Sequence, residues 1–208
     1  MLTRISWLAA FAALLFSLPV FGQSPSSTEW IAALRGGGHV IVFRHGATYP
    51  DQADTNPLDM KDVKHQRQLN DQGRAVAKDV GEAMRKLKIP VGKVITSQFQ
   101  RAVETGKLLG FGAVTSTPDI SEGGLVVPPN ENNRRAQAFK TLVSTAPPAG
   151  SNVVLVTHKP NILDALGKDF FDVREGEALI LKSDGKGGYT PVARVQAADW
   201  AKLAQATN

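Results

Sequence analysis

Two short strands that are apolar from end to end restrict this chain more than any other feature. Val40-Ile41-Val42-Phe43 and Val153-Val154-Leu155-Val156 show no polar alternation. A strand with one face in water alternates, whereas one covered on both faces does not. Such strands require helices above and below them, which commits the chain to a sheet inside a helical sandwich.

The segments between them supply those helices. In "LNDQGRAVAKDVGEAMRKLKI", Val76, Val80, Met84 and Leu87 recur at spacings of four, four and three, forming one apolar stripe, with Asn70 or Asp71 as cap. "FQRAVETGKLLG" is a second long helix, closed by Gly110. A third, in "NENNRRAQAFKTLVSTAP", gathers Ala136, Phe139, Leu142 and Val143 on one side. Ser26 and Glu29 have capping-box spacing before a short helix that the glycines from Gly36 end. Further helices are expected from Pro160 and over 197–205. Strands are expected at 92–97 and 113–116, with 178–182 and 189–195 forming a hairpin through Asp184–Gly188. Residues 47–66, with Pro50, Pro57 and several Asp, read as a loop with one helical turn. The expected fold class is α/β: a three-layer sandwich whose central sheet is mostly parallel, with one antiparallel edge or hairpin strand.

The first 22 residues are not read as fold. Arg4 precedes an apolar run from Ile5 to Phe21, and Val20-Phe21-Gly22 offers a small-residue exit. That is the form of a secretory signal peptide, and a kept membrane anchor is the competing reading. The expected division is therefore 1–22 signal peptide, 23–37 linker and short helix, and 38–208 catalytic domain. Cleavage after Gly22 leaves 23 basic against 19 acidic residues in a chain of 186. That charge is too mild for a nucleic-acid binder, and the length suits one domain with a full core. The expected location is periplasmic or secreted, without stable membrane insertion once the signal is gone. The absence of cysteine excludes disulfides, thiolate chemistry and thiolate-bound metal. No His-x-x-His or carboxylate-rich pattern calls for a metal, and no cofactor is expected.

The informative polar residues fall where strands end. The first strand runs into Arg44-His45-Gly46. The second ends in Ser97, with Arg101 one helical turn on, and the most apolar one ends in Thr157-His158. Open α/β sheets bind ligands at the carboxyl ends of their strands. A guanidinium offers a planar fork to phosphate oxygens, and a neutral imidazole nitrogen can take a phosphoryl group covalently. A second imidazole with the guanidiniums can stabilise charge on the equatorial oxygens during in-line transfer. A glycine after the nucleophile allows close backbone approach or a positive φ. Each residue also has an ordinary reading: a strand-end histidine satisfied by backbone, or a surface arginine in an ion pair.

"RHG" at 44–46, "RQLNDQGRAVA" at 67–77, "SQFQRAVET" at 97–105 and "VTH" at 156–158 together resemble the histidine phosphatase superfamily, with its phosphoglycerate-mutase-like fold. The resemblance spans about 38–195 and looks like the short, single-domain branch. It implies His45 as phosphorylated nucleophile, with Arg44, Arg101 and His158 lining the phosphate pocket and His158 assisting catalysis. It also implies a carboxylic acid that protonates the leaving oxygen and then activates water. Glu122, in "PDISEGGLV", fits that role best by order and context, with Asp119 as runner-up. "RHGATYPDQADTNP" lacks the Trp-Asn pair of the mutases, and Lys159-Pro160 after the second histidine also departs from them, which argues against mutase activity.

The function implied is an exported phosphomonoesterase acting on a small anionic phosphorylated substrate through a phosphohistidine. Two alternatives share the pocket: a phosphate-ligand binder or envelope-modification accessory with little turnover, and a phosphohistidine-protein phosphatase. Lys61, Lys64, His65 and Arg67 form a basic stretch, readable as a solvated face or as a specificity element. Arg134 and Arg135 read as solvent-facing, and Glu175 and Glu177 as polar residues at a strand entry.

Overall fold

In the computed structural model, residues 27–123 and 127–206 are described; the expected signal peptide lies outside them. Among the described residues, six strands form one sheet: β1 (His39–Arg44), β2 (Val91–Ser97), β3 (Val114–Thr117), β4 (Asn152–Thr157), β5 (Ala178–Ser183) and β6 (Tyr189–Val195). Their order is β3-β2-β4-β1-β5-β6. β1 pairs parallel with β4, and β2 parallel with both β4 and β3. β5 runs antiparallel to β1 and to β6, so it alone opposes the other five. The two apolar strands β1 and β4 therefore lie side by side at the centre, as their lack of alternation requires.

Helices α1 (Ser27–Arg35), α2 (Asp71–Lys86), α3 (Gln100–Leu108), α4 (Pro129–Ser144), α5 (Lys159–Leu166) and α6 (Ala197–Ala206) cover both faces. Ile41, Phe43, Val154 and Val156 pack on one face with Leu34 of α1, Val80 and Met84 of α2, Ala102 of α3 and Trp200 of α6. Val40, Val42 and Leu155 pack on the other with Phe139 and Val143 of α4 and Ile162 of α5. Successive strand residues thus feed opposite cores, which is the three-layer sandwich. Residues 47–66 are irregular apart from one 3-10 turn at Val63–His65. Among the described residues, no helix is long and apolar enough to cross a membrane.

One close approach positions the end of β1. A Cβ on Gly46 would lie 2.9 Å from the Gly73 carbonyl oxygen, and one on Gly73 would lie 2.1 Å from that of Ala47. Gly46 has no positive φ, so close approach, not backbone conformation, accounts for this glycine. Asn70 completes the joint. Its side-chain oxygen accepts from the Gly73 amide at 2.8 Å, its amide group donates to the Thr48 carbonyl at 3.1 Å, and its backbone N–H donates to Ala47 at 3.0 Å. The stretch "RQLNDQG" therefore clamps the start of α2 onto the turn that follows His45.

Candidate active site

Register brings the two strand-end histidines together. Arg44 is paired with Thr157 across the parallel ladder, and the His45 amide donates to the Thr157 carbonyl at 3.0 Å. The imidazoles of His45 and His158 follow directly, with ring centroids 5.1 Å apart. Both are buried.

Their hydrogen bonds fix which nitrogen is free. His45 Nδ1 lies 2.8 Å from the Gly46 carbonyl, which can only accept, so Nδ1 carries the hydrogen and Nε2 keeps its lone pair. Burial first, and the positive charge of Arg101 second, push the His45 pKa down to about 3. The ring is accordingly neutral at physiological pH. His158 is held the other way round. Ser121 Oγ donates to the Thr117 carbonyl at 2.9 Å, Ser97 Oγ donates to Ser121 Oγ at 3.1 Å, and Ser97 Oγ lies 2.7 Å from His158 Nε2. With Ser97 donating to Ser121, His158 Nε2 donates to Ser97 Oγ, and Nδ1 has no hydrogen-bond partner among the described residues. Burial, then the Arg101 charge, lowers the His158 pKa well below its ordinary value.

Arg101, from the first turn of α3, is fully buried and lies over Phe99, its guanidinium carbon 4.4 Å from the ring centroid. A guanidinium does not shed its proton, so burial at acceptable cost demands anions. Two carboxylates provide them. Asp54 accepts from Nη1 at 2.9 Å, and Glu122 accepts from Nη2. The same Glu122 oxygen lies 3.6 Å from His158 Nδ1. Arg44 donates to the Val173 carbonyl at 2.9 Å and faces Glu175 at 3.4 Å; burial is the main cause that lowers its pKa.

Thus His45, His158, Arg44, Arg101 and Glu122 converge. Asp119, the competing acid, instead forms a surface ion pair with Arg134 at 2.7 Å. Sequence reasoning missed Asp54, whose only signal was an acid within a long loop, and Phe99, the stacking platform. It also misread one neighbour. Arg135 is not solvent-facing: it donates to the Ser121 carbonyl at 2.9 Å, bracing the segment that carries Glu122. Glu175 serves Arg44. Glu177 is fully buried and binds the Arg194 side chain at 2.6 Å and the Arg174 amide at 2.9 Å. Exposed His65 pairs with Asp62.

Six buried side-chain polar atoms lack a partner among the described residues, and half of them belong to this cluster: Arg44 Nε, Arg101 Nε and His158 Nδ1. Buried polar atoms are normally satisfied, so this concentration marks a site that takes a polar ligand. The surrounding cations select an anion. Among the described residues, no three His, Asp or Glu side chains come together in a way that could hold a metal ion.

The family model described as histidine phosphatase superfamily (branch 1) matches residues 40–125. No curated protein matches the chain. Among solved structures, the fold matches the protein histidine phosphatase SixA complexed with tungstate, at 18% identity over 77% of this chain and 98% of that one, with a TM-score of 0.55. It also matches phosphoserine phosphatase from Entamoeba histolytica in complex with 3-phosphoglyceric acid, at 15% identity over 76% and 96%, with a TM-score of 0.52. At these identities the likeness is one of fold. His158 lies beyond the matched stretch, and strand pairing alone brings it in.

Proposed function

We propose, from the premise that this chain belongs to the histidine phosphatase superfamily and is a histidine-type phosphatase, that it is an exported phosphomonoesterase acting on a small phosphorylated substrate. The observation that carries this reading is the bare Nε2 of a neutral His45 amid cationic side chains with unpartnered buried nitrogens. His45 Nε2 attacks phosphorus, the P–N bond forms as the ester P–O bond breaks, and Arg44 and Arg101 offset charge on the equatorial oxygens. A phosphoryl dianion favours protonation of His158 at Nδ1, turning that atom into a donor toward a phosphoryl oxygen. Glu122, in its protonated form, gives its hydrogen to the departing alkoxide. As a carboxylate it then takes a proton from the water that attacks the phosphohistidine, so phosphate leaves and His45 is restored.

Export rests on the signal-like first 22 residues and is tested by the N-terminus of protein recovered from the envelope fraction. The chemistry is tested by labelling with a ³²P-phosphomonoester. An acid-labile, base-stable phosphoenzyme is expected in the wild type and none in His45→Ala, whose turnover of an aryl phosphate should fall by about 10⁴-fold or more. Turnover retained in a folded His45→Ala protein would falsify the assignment.

A further inference from the structure

The mechanism above leaves one arginine of the site unused. Arg44 and Arg101 are compensated by Glu175 and by Asp54 with Glu122. The guanidinium of half-buried Arg67, among the described residues, makes no hydrogen bond or ion pair, yet its charge acts on both His45 and His158. Nor is its backbone loosely placed. One oxygen of Asp54 accepts from the Arg67 amide at 2.9 Å and from Arg101 Nη1 at 2.9 Å, so a single atom joins the two arginines. The preceding residue, Gln66, is buried; it donates to the Met60 carbonyl at 3.1 Å and accepts from the Gln100 amide at 2.7 Å, at the start of α3. The loop that bears Arg67 is thus pinned to the helix that bears Arg101.

A half-buried cation without a partner lacks a counter-ion, and its planar fork matches a tetrahedral oxyanion. We propose that Arg67 is a third arginine of the phosphoryl site, donating directly to oxygens of the transferring group, and that Asp54 is the positioning residue that sets its distance from Arg101. The proposal rests on the phosphatase reading above. It widens the cradle beyond the strand-end residues and recruits the segment from Asp54 to Arg67 to the site.

The test uses p-nitrophenyl phosphate as substrate and inorganic phosphate as competitive inhibitor. Arg67→Ala should raise both KM and the phosphate inhibition constant by about ten-fold or more, and Arg67→Lys should recover part of the loss as a point charge. Asp54→Asn should raise KM more than it lowers kcat. Combined with Arg67→Ala it should lose less than the two changes summed, as expected for residues acting through one contact. A folded Arg67→Ala protein with wild-type phosphate inhibition overturns the proposal; should that variant not fold, unchanged inhibition in Arg67→Lys and Arg67→Gln overturns it equally. Strict additivity of the pair overturns the role of Asp54. A wild-type protein that forms no His45-dependent phosphoenzyme removes the underlying reading, and the proposal with it.

Discussion

The floor and the rim of the site are built by different means. The floor, Arg44-His45 and His158, is set by backbone register between β1 and β4. The rim, comprising Asp54, Arg67, Glu122 and Glu175, comes from irregular segments between the named strands and helices, and side-chain bonds to Arg44, to Arg101 or to neighbours hold it. Ladder hydrogen bonds shielded by helices on both faces hardly respond to salt or pH. Ion pairs at partly exposed carboxylates do. Nucleophilic geometry is therefore expected to be robust, while acid catalysis and substrate grip are tunable.

That contrast can be broken in several ways. The largest effect should come from Glu122→Gln. It should lower turnover of an alkyl phosphate by about 10²–10⁴-fold, and that of an aryl phosphate much less, because only the poor leaving group needs a proton. Equal losses on both substrates would make Glu122 a binding residue instead. Next comes the joint under the floor. Gly73→Ala puts a Cβ into the Ala47 backbone, and thermal unfolding should show a loss of about 3 kcal/mol. No loss would mean that the clamp is slack.

The pH response is intermediate in size, and its sign follows from His45. Its folded pKa, about 3, lies below its unfolded value of about 6.5. Between those values the unfolded chain binds a proton that the folded one refuses. This contribution to stability is complete above about pH 6.5 and is lost as pH falls toward 3. Melting temperature should drop on acidification across that window, less steeply in His45→Gln, and an NMR titration should find His45 neutral at pH 5. A ring that titrates near 6.5 would contradict its burial beside Arg101. The smallest effect belongs to the runner-up acid. Asp119→Asn breaks only a surface pair with Arg134, and kcat/KM should change by less than about two-fold. A loss comparable to that of Glu122→Gln would reverse the two assignments.

The sequence by itself determined the sandwich, because unbroken apolar strands and striped helices admit few other arrangements. It also determined the floor, because residues at the ends of parallel strands are delivered to one edge wherever the strands pair. Tertiary structure alone decided the rest. Nothing in "PDQADTNP" marks Asp54 as the partner of an arginine 47 positions away, nor Arg67 as its neighbour. Likewise, only the folded Ser97–Ser121 relay shows which nitrogen His158 leaves free. The physical reason is one of range. Periodicity and strand ends are local properties of the chain, whereas a buried charge takes its partner from whatever segment happens to pass within reach.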